Sequence, residues 1–162
     1  MLKSFKWILP LLFVFLSACG KQDETQLKME SYRAHYHYIE NNTKFLKESN
    51  YFHVSTEIVS KGNGFAYYIV VDQARVEMHD VVLMVVENDE LFQNNSKMMP
   101  SSGIFDQPSH LIPNQVNKEY GYRKGIVLSG ESQEAQLKVE LLVEWKDKAN
   151  ELKREYLSLD IQ

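Results

Sequence analysis

The chain has 162 residues, 44% of them hydrophobic and 25% charged, with 18 basic and 22 acidic side chains and a net charge of −4. That length suits one domain, large enough to bury a core without staples. The acidic balance argues against nucleic acid and against electrostatic adhesion to anionic lipid. The single cysteine, Cys19, excludes an internal disulfide.

Residues 1–18 have the layout of an export signal. Lys3 and Lys6 give a positive start, Trp7 to Leu16 form an apolar run, and the small residues Ser17 and Ala18 follow. The apolar run is about half of what a helix needs to cross a bilayer, which argues against a permanent span. The small residues stop at a cysteine, and the motif Leu16-Ser17-Ala18-Cys19 closely resembles the lipobox of bacterial lipoproteins. The resemblance implies that the Cys19 thiol receives a diacylglyceryl group and that cleavage before it makes Cys19 the first residue of the mature chain. It implies a protein held at the extracytoplasmic face of the cell membrane by lipid. Two acyl chains suffice, since each buried methylene contributes about 0.8 kcal/mol. Cleavage removes Lys3 and Lys6 and takes the net charge to −6. The Lys/Asn/Glu-rich composition favours a Gram-positive host, and no Asp follows Cys19 as an inner-membrane retention cue.

After the leader, Gly20 to Thr25 reads as a polar flexible spacer. Residues 26–48 carry Leu27, Tyr32, Tyr36, Ile39 and Phe45 among many charges at loosely helical spacing, which predicts a stalk helix with one modest apolar stripe, either packed on the body or standing as a spacer. The expected division is a lipidated linker and stalk over 19–50 and a folded domain over 51–162.

From Tyr51 the period becomes two. Phe52, Val54, Thr56 and Ile58 alternate with polar residues, the pattern of a half-buried strand. Lys61-Gly62-Asn63-Gly64 predicts a hairpin turn. Phe65–Val71 and Val81–Val86 are apolar on both faces and read as central strands. Tyr122–Leu128 alternates. Leu137, Val139, Leu141, Val143 and Trp145 alternate with Lys138, Glu140, Glu144 and Lys146, which are expected to face water. After a turn at Asp147–Asn150, Leu157, Leu159 and Ile161 carry a last strand. Strands joined by turns, without helices between them, predict an all-β chain: an antiparallel, immunoglobulin-like β-sandwich of about seven strands preceded by a helical stalk. The likeness is one of pattern only, because the Cys…Trp…Cys core signature is missing.

Residues 89–115 interrupt the pattern. A connection this long is functional, disordered or hides a short strand, and one edge strand is expected near Ile104. Met98, Met99, Ile104, Phe105, His110 and Leu111 make this segment the candidate partner-binding loop. Chemistry has weaker support. His35, His37, His53, His79 and His110 form no His-x-x-x-His pair, and there is no second cysteine, so no metal or other cofactor is expected. Met78, Met84, Met98 and Met99 fit core filling better than a copper site. No Gly-x-Ser-x-Gly is present, and His79 and Asp80, as strand neighbours, should point to opposite faces. Glu87 and Asp89 share a predicted strand face and are the one carboxylate pair worth considering for acid–base work, with a solvated turn as the plainer reading. The nine tyrosines suit core and cross-strand packing as well as interfaces.

The expected function is therefore a lipid-anchored extracytoplasmic binding protein, not an enzyme, whose partner is an envelope protein or polymer and not nucleic acid. The alternatives are an enzyme acting on envelope polymer through Glu87 and Asp89, or a carrier of a small ligand or metal.

Overall fold

A computed structural model describes residues 20–162, with side chains from Glu24 onward. The expected leader and Cys19 lie outside the described residues. Helix α1 spans Gly20–Glu40. Eight strands follow: β1 His53–Lys61, β2 Gly64–Asp72, β3 Met78–Glu87, β4 Ser101–Ser102, β5 Ser109–Leu111, β6 Gly125–Ser132, β7 Leu137–Lys146 and β8 Leu152–Ile161. Single 3₁₀ turns occupy Phe92–Asn94 and Lys118–Tyr120. None of the described helices is long and apolar enough to cross a membrane.

The chain is mostly β, in two antiparallel sheets. One has the order β1-β2-β6; the other runs β4-β3-β7-β8, with β5 also paired to β3. The β1–β2 hairpin turns at the expected residues, with Lys61 opposite Gly64. Gly62 supplies φ +61°, the positive first central angle that a two-residue turn of this hand needs. Inward residues of both sheets, among them Tyr67, Ile69 and Leu128 from one and Leu83, Leu141 and Val143 from the other, meet in a single core. That is a sandwich-like arrangement. Burying strands on alternate residues drives it, since every apolar side chain on the inner face leaves water at once.

Helix α1 corrects the expectation of a stalk. Tyr32, Tyr36 and Ile39 recur at helical spacing and are buried at 3%, 0% and 1% exposure. They pack on Met84, Val86 and Leu142, the outer face of the second sheet, together with Met99 and Ile104. The helix is thus a third layer over the sandwich. It also starts at Gly20, within the segment expected to be a flexible spacer, and it ends at Glu40, well before Glu48. At its end the Asn41 side-chain amide joins the Asn41 backbone N–H on the His37 carbonyl, and the next N–H, of Asn42, turns to the Ile39 carbonyl three residues back. Beyond it, Leu46 bridges Leu157 across the open edge of β8.

The same layer corrects the reading of β7. Glu140 and Glu144, expected in water, are buried at 7% and 9% exposure. Strands β3 and β7 are covered on both faces, so a carboxylate on the outer face needs a partner. Glu144 has His35 of α1 at 3.3 Å and Arg154 of β8. Glu140 has Lys138 at 3.2 Å.

Strand β3 carries one extra residue against β7 between His79 and Val82. The bulge, with Asp80 at φ +49°, lets Met78 and Val81 both reach the core. It therefore overturns the expected opposition of His79 and Asp80: both now border His110, with the two imidazole rings 5.6 Å apart and Asp80 Oδ1 3.9 Å from His110 Nδ1.

Candidate functional site

Of the six residues expected to form a partner-binding loop, the structure scatters the set. Met99 and Ile104 are buried under α1, where the Met99 N–H donates to the Tyr32 hydroxyl at 2.8 Å. Leu111 lies in the sandwich core. Phe105 stands against Tyr32, rings 5.7 Å apart, at 38% exposure. Met98 alone is mostly exposed. Two short strands, β4 and β5, tie the segment to β3, whereas one near Ile104 was expected; Ile104 itself lies in the bend between them. Gly103 fixes that bend at φ +82°, with a Cβ position only 2.4 Å from the Val81 carbonyl oxygen.

Glu87 and Asp89 also separate. The turn Glu87-Asn88-Asp89-Glu90 closes through Glu90 N–H to Glu87 O, with Asn88 and Asp89 both at positive φ. Glu87 faces inward, accepting from the Tyr67 hydroxyl at 2.6 Å and from Lys97 Nζ at 2.6 Å. Asp89 faces the other way and binds Lys138 at 2.7 Å. The nearer carboxylate pairing is Asp89 with Glu140. Lys138 holds Asp89 below the usual carboxylate range, and burial, with Asp89 beside it, pushes Glu140 up. Lys138 sits on both carboxylates, the arrangement of a structural ion pair. Among the described residues no three His, Cys, Asp or Glu side chains are placed to hold a metal ion.

His110 has a positioning role. Its Nδ1 accepts from the Asp80 N–H at 3.0 Å, which leaves its proton on Nε2 when the ring is neutral. Its backbone N–H donates to Gly121 O and its carbonyl accepts from Arg123 N–H, each at 2.9 Å. Its ring meets Tyr122 edge to face at 5.7 Å. The β3 bulge thereby anchors β5, and β5 anchors the segment 112–124.

That segment is bordered by open depressions, and the sequence reading did not single it out. Ile112-Pro113-Asn114-Gln115 closes by Gln115 N–H to Ile112 O, with Asn114 at φ +60°. Proline second and asparagine third is what a type II turn selects. Asn117 and Tyr122 exchange both backbone hydrogen bonds, at 3.0 and 2.8 Å. Asn117 Oδ1 caps the 3₁₀ turn by accepting from Glu119 N–H. Gly121 takes φ +71° against the His110 ring, where a Cβ would lie 3.3 Å from Cδ2. Three contiguous depressions surround this turn. One of about 450 Å³ runs between Asp72–Ala74 and Arg123–Lys124. One of about 550 Å³ lies along Asn114–Asn117, Tyr120 and Tyr122. The third, about 660 Å³, continues past Pro113 to Arg75 and Lys148. Val116 and Tyr120 rise beside them at 64% and 67% exposure. The Pro-Asn turn and the Tyr120-Gly121-Tyr122 triplet were the available sequence signals.

No protein-family model matches this chain, and no curated protein or solved structure does either.

Proposed function

We propose that this chain is a lipid-anchored binding protein of the bacterial cell surface, fixed at the membrane through an acylated Cys19 and presenting segment 112–124 to an envelope partner. In this reading the sandwich is of immunoglobulin-like type, the chain binds without catalysing a reaction, and the host is Gram-positive. The lipobox-like Leu16-Ser17-Ala18-Cys19 supports the anchor. The observation that carries the binding surface is the pairing of exposure with rigidity. Val116 and Tyr120 stand in solvent on a loop whose backbone is hydrogen-bonded to β5 and to itself. A preformed surface loses little conformational entropy when it binds, so exposed side chains there convert contact area into affinity. Segment 98–111 offers less, because Met99, Ile104 and Leu111 are spent on the two cores and leave only Met98 and the half-buried Phe105 in solvent.

A photo-cross-linking amino acid at Val116 of the full chain, in living cells, tests the surface. Adducts are expected from Val116 and not from Val127, an exposed position on β6. No adduct at Val116, or equal adducts at both positions, refutes the assignment.

A further inference from the structure

We infer that the groove around the Ile112–Gln115 turn binds a polysaccharide chain bearing acidic groups. This rests on the binding-surface reading above and names the ligand for it. Four features of the groove point to that chemistry. The first is shape: three open depressions share Pro113 or Asn114–Val116 in their linings, so they border one another on one open surface rather than forming a closed pocket for one small molecule.

The second is the set of planar amides. Gln73, Asn114, Gln115 and Asn117 all line it, and Asn117 is committed to the loop frame while the other three stand exposed at the rim. Each amide presents a donor and an acceptor in one plane, the spacing that adjacent hydroxyls of a sugar ring satisfy in pairs. The third is aromatic. The rings of Tyr120 and Tyr122 lie 6.2 Å apart at 44°, and both border the depression along Asn114–Asn117. A tyrosine face offers apolar area to the C–H face of a sugar while its hydroxyl stays wet.

The fourth is charge. Three carboxylates, Asp72, Glu77 and Asp147, also line the depressions, and each has a basic side chain at ion-pair distance (His53; His79 and Lys148; Lys153). Arg123 and Lys124, both exposed at the groove wall, enter no ion pair among the described residues. On a chain of net charge −4, two cations left out of those pairs at one groove select an anion. A guanidinium matches a carboxylate or phosphate through two parallel hydrogen bonds. A protein partner fits less well. Its binding energy concentrates in a desolvated apolar centre, and here the large exposed apolar side chains, Val116 and Tyr120, stand among exposed amides and cations.

The test is retention of the full chain, in detergent, on an array of neutral, uronate-bearing and phosphate-bearing bacterial polysaccharides, with poly-L-glutamate as a polyanion that is not a saccharide. Retention is expected on one or more acidic polysaccharides, and not on dextran or poly-L-glutamate. Tyr120→Ala should weaken it by up to about tenfold through lost stacking, and Arg123→Ala should reduce both retention and its salt dependence. A Val127→Ala control should change nothing. Retention on no polysaccharide, equal retention on poly-L-glutamate, or indifference to Tyr120→Ala overturns the inference. If Val116 still cross-links to a protein in cells while the array stays blank, the binding surface stands and the ligand class fails.

Discussion

At Gly130 an added Cβ would sit 2.4 Å from the Tyr67 ring, which the Glu87 carboxylate holds by a 2.6 Å hydrogen bond. Tyr67 is fully buried and has nowhere to move. Gly130→Ala should therefore lower the unfolding free energy by about 1–3 kcal/mol, as overpacking does. Gly62→Ala meets open space and faces only its positive φ, a cost of about 1 kcal/mol. Urea denaturation of the two variants should rank them in that order. Tyr67→Phe leaves one Glu87 oxygen short of its buried donor and should cost about 1–3 kcal/mol by the same measurement.

His35 gives the fold a pH dependence of defined sign. Burial works against its charged form, but the Glu144 carboxylate and the Ser31 carbonyl outweigh burial and the nearby Arg154, so its pKa rises above the ordinary value. A raised value in the folded state means stability that is complete below the unfolded histidine pKa and is lost as pH rises through the folded one. Glu144 works in the opposite direction. Burial raises it, His35 and Arg154 lower it further, and the net depression gives stability that is lost as pH falls through the carboxylate range. The docking of α1 should be strongest in mildly acidic solution and weaken toward alkaline pH. Melting temperatures across that range should decline for the native chain, and the decline should flatten in His35→Gln.

Among the elements, α1 carries a testable asymmetry. Tyr36 is fully buried and donates its hydroxyl to Glu90 O at 2.8 Å, whereas Leu27 is 64% exposed. Tyr36→Ala should cost about 3–5 kcal/mol in denaturant unfolding, and Leu27→Ala about 0.5 kcal/mol or less. The strands were legible because alternation is a local property: a residue and its second neighbour share a face wherever the strand goes. The docking of α1 was not, because it depends on pairs far apart in sequence. Glu140 and Glu144 resemble solvent-facing positions until Lys138, Arg154 and His35 are placed beside them. One signal was present. Leu141-Leu142-Val143 breaks the alternation of β7, and Tyr32, Tyr36 and Ile39 supply the matching helical stripe. The bulge at Asp80 escaped notice for the same reason, since one inserted residue changes which side chains share a face without changing the composition.

On the scale of the whole molecule, the long segment after β3 closes the second core and carries, at its far end, the anchor for the groove. Sequence reading placed the binding residues at 98–111 because apolar residues in a long connection look available. Burial of Met99, Ile104 and Leu111 takes those three out of reach of a partner, and the binding role proposed above is assigned to 112–124 instead. Only the turn chemistry of Pro113-Asn114 and the positive-φ glycine between two tyrosines marked the groove in advance. Everything about its place in the cell rests on Cys19, and intact-mass spectrometry of the chain recovered from membranes tests that directly. The account predicts a mature polypeptide that starts at Cys19 and carries acyl chains on its sulfur. A free thiol at Cys19, or a chain that still begins at Met1, would contradict it.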